Sequence, residues 1–343
     1  MALTSLELRQ FTVFENAEFE LCPGINVLIG KNSTGKSHAM KAAYALLQGL
    51  SRAANENAGE ARRDTLVSER LTRIFLPDRL DRLIRRPSVE SERGAELLLS
   101  MDGTDVVVTL KGDIAKVSPQ PVEPPPSLFV TSRDVLAFSE GFVRLYEKRE
   151  LSFDETYADL SRALEVSPLR QPPELLGRIE SILGGKVRRE GDRFYVKQGG
   201  EEFEAHLVGE GLRKIATLVH LIANGSLTKG SILFWDEPEA GLNPQMIADM
   251  ADFIRALAAW GVQILIATHD YLLPSRLSVA VSSRLQPEVA TRFFSLHRAG
   301  VNEPVEVEWG DTLEELEHNP ILQAHAQFYD YKSESFSRTG FDS

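Results

Sequence analysis

Eight consecutive residues, Gly30-Lys31-Asn32-Ser33-Thr34-Gly35-Lys36-Ser37, match the spacing G-x-x-x-x-G-K-[ST]. The chemistry of that spacing is phosphate binding. Such a loop turns successive backbone N–H groups toward an anion, and the helix after it adds the positive end of its dipole. Gly30 and Gly35 permit the tight path, with Lys31, Asn32, Ser33 and Thr34 completing the cradle between them. Lys36 would reach the β- and γ-phosphates, and the Ser37 hydroxyl would ligand Mg²⁺. Far downstream, Asp236 and Glu237 close the apolar run Ser231–Trp235. Asp236 would hold Mg²⁺ beside Ser37, directly or through water, and Glu237 is placed to polarise an attacking water. Adjacent side chains at a strand end point opposite ways, which suits two separate jobs. His269, at the end of the next apolar run, could touch the γ-phosphate or that water. Gly209-Glu210-Gly211-Leu212-Arg213-Lys214 opens a helix, and a Gly-flanked helix N-terminus binds anions.

The elements that must position these groups are legible around them. Ile25 to Ile29 reads as a buried strand, and Met40, Ala43, Tyr44 and Leu47 recur at helical spacing after Ser37, with Gly49 as a stop. Strand, loop and helix are the context the motif requires. Leu6, Leu8 and Phe11, then Phe14, Ala17, Phe19 and Leu21, alternate with polar residues as two short strands. Phe11 or Phe14 could stack on a nucleotide base, although such alternation more often builds a core. Ser51–Asp64 lacks apolar periodicity and reads as a mobile loop or a frayed helix. Arg70, Arg73, Arg79, Arg82, Arg85 and Arg86 interleave with Leu71, Ile74, Phe75, Leu80 and Leu83, the one basic cluster in the chain. It is either a solvated amphipathic helix or a surface for phosphates or a partner. Glu96–Ser100 and Asp105–Lys111 read as a hairpin turning at Asp102-Gly103, with a further strand around Ile114–Val117. Five prolines in Pro119–Pro126 make a stiff connector. We expect a single unit over 1–343, with 51–126 an insertion of basic helix plus β-hairpin. The stretch 134–183, helical but broken at Pro168 and at Pro172-Pro173, is expected to form a helical subdomain.

From Gly209 onward the order is regular. A helix over Gly211–Asn224 leads to a strand at Ile232–Trp235, a helix opened by Asn243-Pro244, and a strand at Val262–Ala267. This βαβ unit implies a parallel sheet and sets the ends bearing Asp236 and His269 near each other. Before it, Lys186–Arg189 and Arg193–Val196 flank a Gly-containing turn as a hairpin, and a third strand is expected through Phe203–Leu207. Phe293–Leu296 and Val305–Val307 read as late strands, followed by an acidic helix from Leu313; 332–343 reads as a polar, mobile tail. The fold class is α/β, a mixed or parallel sheet flanked by helices, with an antiparallel β subdomain and a helical insertion.

Composition narrows the classes. The 343 residues, 43% hydrophobic and 26% charged, allow one large α/β domain or two smaller ones. Lysine plus arginine less aspartate plus glutamate is 38 − 50 = −12. An acidic chain weighs against a surface built mainly to neutralise DNA phosphates, leaving a local basic groove open. No apolar stretch is long enough to cross a bilayer, and the N-terminus lacks the layout of a signal peptide. Cys22 is the only cysteine, which excludes an intrachain disulfide and a cysteine zinc cluster. The expected location is cytoplasmic. Outside the motifs, Glu, Asp and His are scattered without metal-ligand spacing.

These residues carry a family resemblance. Gly30–Ser37 resembles a Walker A motif, Ile232–Glu237 a Walker B, and Gly209–Lys214 an ABC signature in degenerate form. Glu239-Ala240-Gly241-Leu242-Asn243-Pro244 resembles a D-loop, centred on Gly241, Leu242 and Asn243, and His269 a switch histidine. All five lie in the order of ABC-type ATPases. The opening Leu6-Glu7-Leu8-Arg9-Gln10-Phe11 and the run Asp236–Pro244 are more similar to heads of the SMC/RecF/OLD-like branch than to transporters. Arg133–Leu169, with Glu140-Gly141-Phe142 and Phe153-Asp154-Glu155-Thr156-Tyr157, resembles bacterial AAA-type ATP-binding proteins linked to phage defence. The likeness spans Leu3 to Leu272 and is weak beyond.

What the resemblance implies is a P-loop NTPase with ABC-ATPase head architecture, using ATP and Mg²⁺. ATP would be sandwiched in a homodimer, between Walker A of one subunit and Gly209, Glu210, Gly211, Arg213 and Lys214 of the other. Glu237 and His269 would be catalytic. Two departures stand out. Gly209 occupies the place of the signature serine, and Glu210 replaces a glycine; its charge beside phosphate weakens the trans contact unless Arg213 or Lys214 offsets it. No Q-loop glutamine is found, and Ser132 or Arg133 occupies that strand end. The implied role is an ATP-gated switch for a separate protein effector, in antiviral defence and without a membrane. A RecF-like DNA-repair ATPase that binds DNA is the alternative, and a transporter ATPase subunit is a minor one. About seventy residues follow His269, too few for a nuclease domain of usual size.

Overall fold

Alternating apolar residues make the first two strands, β1 (Leu3–Phe11) and β2 (Phe14–Glu20), which pair antiparallel with Leu6, Leu8, Phe11, Phe14 and Phe19 buried. The structure is a computed structural model and describes residues 1–85, 94–118, 123–148, 151–300 and 303–339. β3 (Ile25–Gly30), buried along its whole length, runs through the glycine loop into α1 (Lys36–Asn55), and α2 (Glu60–Phe75) packs back on it. A meander follows: β4 (Ala95–Met101), β5 (Thr104–Lys111) and β6 (Ile114–Ser118). Next come β7 (Ser127–Val130), α3 (Phe142–Glu147), α4 (Glu155–Glu165), α5 (Leu175–Leu183), and the hairpin strands β8 (Gly185–Glu190), β9 (Arg193–Gln198) and β10 (Glu201–Glu204). α6 (Glu210–Ala223), β11 (Ile232–Asp236), α7 (Pro244–Ala259) and β12 (Gln263–Thr268) form the expected βαβ run. α8 (Leu272–Ser282), β13 (Thr291–His297), β14 (Glu306–Gly310) and α9 (Pro320–Thr339) complete the order.

Among the described residues the main sheet has the order β14-β13-β3-β12-β11-β7, with β14 antiparallel and its neighbours parallel. Helices cover both faces, so the strands read as continuous apolar runs rather than alternating ones. Leu28 and Phe234 face α1 and the antiparallel sheet, while Val27, Ile29, Leu233 and Trp235 face α5, α6, α7 and α8. The register places Asp236 opposite Ala267, Thr268 opposite Ile29, and Trp235 opposite Val130. The C-terminal ends of β3, β12, β11 and β7 therefore share one edge, where the glycine loop, His269, Asp236 and Ser132-Arg133 emerge.

Several expectations change. β4 pairs with β1, making one antiparallel sheet of order β2-β1-β4-β5-β6, so the hairpin within 51–126 extends the sheet begun by the first strands. Gly49 does not stop α1. It lies against α2, where a Cβ would come 2.9 Å from a Val67 methyl, and close helix approach is what the glycine provides. The helix continues to Asn55, and α2 starts at Glu60, so 51–64 is mostly helical. Only part of the basic cluster is taken up internally, for Arg73 and Arg79 stay half or more exposed in their ion pairs. Arg70 is 8% exposed and paired with Glu155 and Asp159; Arg73 pairs with Glu155, and Arg79 with Asp81 and Asp113. Arg85 donates to the Val13 carbonyl at 2.6 Å, Arg82 is exposed, and Arg86 lies outside the described residues, as does 119–122 of the proline connector. The third strand stops at Glu204 and gives way to a 3-10 turn at Ala205–Leu207. The helix expected from Leu313 begins instead at Pro320, capped by the Asn319 side chain accepting from Leu322 N–H at 3.0 Å, and it runs through Lys332 to Thr339. The stretch read as a tail is therefore helical over 332–339, and 340–343 lie outside the described residues. No helix among the described residues is long and apolar enough to cross a membrane.

Candidate nucleotide site

Close packing under the glycine loop dictates its sequence. A Cβ at Gly30 would lie 2.6 Å from the Leu296 carbonyl oxygen, and one at Gly35 would lie 2.6 Å from both Val13 and Phe14. Gly35 also has φ +93°, and Ser33 sits in the left-handed region at +63°. Phe14 is thus the floor of the loop and not a surface for a base. Phe11 and Phe14 are both 0% exposed, set edge-to-face against Phe75 and Phe19. This corrects the stacking expectation: the alternation that exposes a polar face on β1 and β2 turns both rings inward.

Lys36 folds over the loop, its Nζ donating to the carbonyls of Gly30 at 2.7 Å and Lys31 at 3.0 Å. Burial pushes its pKa down, against the pull of Asp236, Glu237 and Glu239. The Thr34 hydroxyl donates to the Lys31 carbonyl at 2.9 Å. Ser37 Oγ donates to Asp236 Oδ1 at 3.1 Å, so residues 199 positions apart meet as expected. Burial raises the Asp236 pKa, opposed by the Ser37 hydrogen bond and by Lys41 and Lys36. A hydroxyl and a carboxylate side by side form the oxygen-only donor set that Mg²⁺ takes, and a dication there would offset the cost of burying that charge.

Glu237 has φ +50°, a left-handed conformation that costs a non-glycine residue on the order of 1 kcal/mol. Three bonds hold it there. Its N–H donates to the Ala267 carbonyl at 2.9 Å, and its own carbonyl accepts from Ala240 N–H at 3.2 Å and Lys214 Nζ at 3.2 Å. The turn leaves the carboxylate 35% exposed, 3.2 Å from Nδ1 of His269, itself 50% exposed. Asp236 faces inward and Glu237 outward, the division of labour expected of adjacent carboxylates.

Glu239 plays a part that the sequence pattern did not disclose. Its buried carboxyl accepts from Thr268 Oγ1 at 2.6 Å, and that hydroxyl in turn accepts from Asp270 N–H at 2.9 Å. Burial pushes the Glu239 pKa up to about 7, with Asp270 and Glu237 adding to the effect. The only signal was the second glutamate of Asp236-Glu237-Pro238-Glu239; its inward direction follows from the turn, not from any periodicity.

The first turn of α6 leans on its own chain. A Cβ at Gly211 would meet Leu242 at 2.4 Å and the Gly241 carbonyl at 3.0 Å, so this helix end and the Gly241-Leu242-Asn243 loop are one packed unit. Asn243 also caps α7, accepting from Met246 N–H at 3.0 Å. The packing corrects two expected trans contacts. Lys214, 2% exposed, is committed to the Glu237 carbonyl, and Arg213 bonds Asp134 at 2.5 Å and the Val208 carbonyl. Neither is presented to a second subunit, because that helix face meets its own β11 end. Gly211 lies beneath Leu242, whereas Gly209 and Glu210 are exposed, with no side chain capping the helix. Ser132-Arg133 follows β7 beside β11, Arg133 exposed and Ser132 half-buried. Behind the site, Tyr44 of α1 donates to Asp159 at 2.9 Å and Lys41 pairs with Asp154 at 2.7 Å, tying the loop's helix to α4.

Known proteins resemble this chain in sequence and in fold. Residues 116–275 match a family described as "AAA domain, putative AbiEii toxin, Type IV TA system", and residues 1–74 match one described as "AAA domain". The arginine transport ATP-binding protein ArtP of Haemophilus influenzae is 29% identical over 89 residues, 26% of this chain and 35% of that protein. The DNA replication and repair protein RecF of Erwinia tasmaniensis is 45% identical over 49 residues, 14% of each chain. The chain thus spans well under half the length of these curated relatives. An Smc head bound to the C-terminal winged-helix domain of ScpA superposes with a TM-score of 0.59 at 15% identity, covering 92% of this chain and 99% of that one. The SMC head of Thermotoga maritima gives 0.50 at 14% identity, covering 90% and 98%. Two stretches of the chain thus match AAA-domain models, its fold is that of SMC heads, and short segments are similar in sequence to RecF and to ABC ATP-binding proteins.

Proposed function

We propose that this chain hydrolyses ATP and works as a nucleotide-gated switch: ATP bound in the Gly30–Ser37 loop closes a head-to-head homodimer, and that state is passed to a separate protein effector, in a defence or toxin-type system. The observation that carries the reading is the convergence of three strand ends, with Ser37 3.1 Å from Asp236 and Glu237 3.2 Å from His269. Lys36 would exchange the Gly30 and Lys31 carbonyls for the β- and γ-phosphates. Ser37 and Asp236 would hold Mg²⁺, which supplies charge neutralisation on the phosphates when bound. Glu237 would accept a proton from the attacking water, and His269, beside it, would orient that water or the γ-phosphate. The uncapped, exposed Gly209-Glu210 end of α6 would meet the partner's nucleotide with backbone N–H groups. The family description over 116–275, which names a toxin of a toxin–antitoxin system, supports an effector setting, and the solved Smc head with ScpA on it supports a head that signals through a bound protein.

The RecF match favours a second reading, a DNA-binding repair head. Against it stands the engagement of Arg70, buried between Glu155 and Asp159, and of Arg85, held on the Val13 carbonyl. The test is Glu237→Gln. This variant should retain ATP and sediment as a dimer with ATP and Mg²⁺ while the wild type returns to monomer as it turns over. A monomeric E237Q protein with bound ATP would refute the sandwich.

A further inference from the structure

The hairpin of β13 and β14 gathers a second cluster, on the far side of the glycine loop from Asp236. Ser295 pairs with Glu308 and His297 with Glu306 in the antiparallel register, which puts all four side chains on one face. His318, in the link to α9, lays its ring flat on that of His297, centroids 4.2 Å apart and 10° from parallel. One ligand atom from each of His297, Glu308 and His318 lies within 4.8 Å of the others. His318 N–H donates to Glu308 Oε1 at 2.6 Å, and Ser295 Oγ donates to the His318 carbonyl, so the backbone bearing this histidine is pinned to the strand pair. The cluster borders a cavity of about 500 Å³ whose other wall includes Lys31, Asn32 and Thr34 of the glycine loop.

We propose that His297, Glu308 and His318 bind a borderline divalent transition ion of the Zn²⁺ class. Two imidazoles and a carboxylate are the donor set of such an ion, whereas Mg²⁺ prefers oxygen alone, so this site and Ser37–Asp236 would sort their metals by ligand type. A second observation points the same way. His297 Nε2 lies 3.4 Å from the Glu306 carboxylate, while its Nδ1 is buried with no hydrogen-bond partner. An imidazole that donates its outer N–H to a carboxylate and turns its other nitrogen to a metal is the usual arrangement of a ligating histidine. Tetrahedral ligands on zinc stand roughly 3.3 Å apart, so groups lying within 4.8 Å of one another need to close up by at most about 1.5 Å. His318 sits half-exposed at the mouth of the cluster, 53% accessible, which gives an ion a way in. The consequence is structural: the ion would staple the start of α9 to β13 and β14 and fix the wall that the cavity shares with the phosphate loop. Linear spacing carries no such sign, since His297 and His318 are 21 residues apart with no recognisable pattern; strand register sets His297 near Glu308, and the bonds of the His318 backbone to Glu308 and Ser295 bring in the third group.

The proposal does not depend on ATP hydrolysis and is tested without nucleotide. EDTA-stripped protein is dialysed against Zn²⁺, and separately against Co²⁺, with excess Mg²⁺ present to fill the oxygen-only site. One Zn²⁺ per chain is expected, together with visible Co²⁺ absorption bands of a nitrogen-containing site. His318→Gln, at an exposed position, and Glu308→Gln, which keeps the acceptor for His318 N–H, should each lose tenfold or more in Zn²⁺ affinity, while Asp236→Asn should change nothing. Equal Zn²⁺ uptake by wild type, H318Q and E308Q, with circular dichroism showing all three folded, overturns the proposal, as does the absence of uptake by the wild type.

Discussion

Replacing Glu239 by glutamine removes a proton-binding group from the buried turn between Glu237 and Thr268. The glutamine side-chain oxygen can still accept from Thr268 Oγ1, now 2.6 Å from the carboxyl, so the substitution is nearly isosteric. The magnitude follows from the pKa, which burial raises from 4.5 to about 7. The folded protein keeps this proton up to about pH 7, whereas the unfolded chain releases it near 4.5. Its stabilising contribution is therefore fully present below the unfolded value and is lost as pH rises through the folded one. At 1.36 kcal/mol per unit, the wild type should lose roughly 3 kcal/mol relative to E239Q on going from pH 4.5 to pH 8. Asp236 also has a raised pKa and contributes in the same direction, but it is common to both proteins and cancels in the difference. Urea midpoints of the two proteins at pH 5 and pH 8 give the answer. Near-equal stability at pH 5 and a markedly more stable E239Q at pH 8 are expected. If the gap between them is the same at both pH values, Glu239 is ionised throughout, and the account of a neutral carboxyl bracing the β12 end is wrong.

Arg70→Ala should cost about 3 kcal/mol, because Glu155 and Asp159 would keep buried negative charge with only the more exposed Arg73 and Arg162 left beside them; a urea unfolding loss below about 1 kcal/mol would show that water or those arginines replace it. Glu210→Gln should tighten ATP-dependent dimerisation about tenfold, the equivalent of roughly 1.4 kcal/mol of repulsion relieved over the two nucleotides of the dimer together. Sedimentation equilibrium in the E237Q background measures it, and an unchanged dimer constant would place Glu210 away from the partner's phosphates.

Much of the site could be read before any folding because its chemistry is local. The backbone path through Gly30–Ser37, the carboxylates ending an apolar run, and the histidine ending the next are set by residues within a few positions of one another. The βαβ connection then brings Asp236 and His269 to one edge for reasons of chain handedness alone. What could not be read was direction. Phe14 and Phe11 sit on strands whose alternation was plain, yet whether the apolar side met nucleotide or core depended on α1 and α2 lying across it. Lys214 and Arg213 stand one turn into a helix end of the anion-binding kind, and only the tertiary packing turned Lys214 to the Glu237 carbonyl and Arg213 to Asp134 and the Val208 carbonyl. The hairpin after residue 93 was recognised as a hairpin, but its pairing with β1 joins residues about ninety apart, and no local pattern encodes that choice.

The sequence by itself determined a phosphate-loop motif at Gly30–Ser37 in an α/β framework, because the spacing of its glycines, lysine and serine and the strand and helix that flank it are all local. The tertiary structure alone decided which charges serve that site and which serve the fold. Burial raises the pKa of Glu239, committed partners withdraw Arg70, Arg213 and Lys214 from any surface role, and strand register together with the docking of the α9 link gathers His297, Glu308 and His318 from residues the chain keeps apart. Those outcomes rest on what lies opposite a side chain in space, and linear spacing carries that information only within one helix or strand.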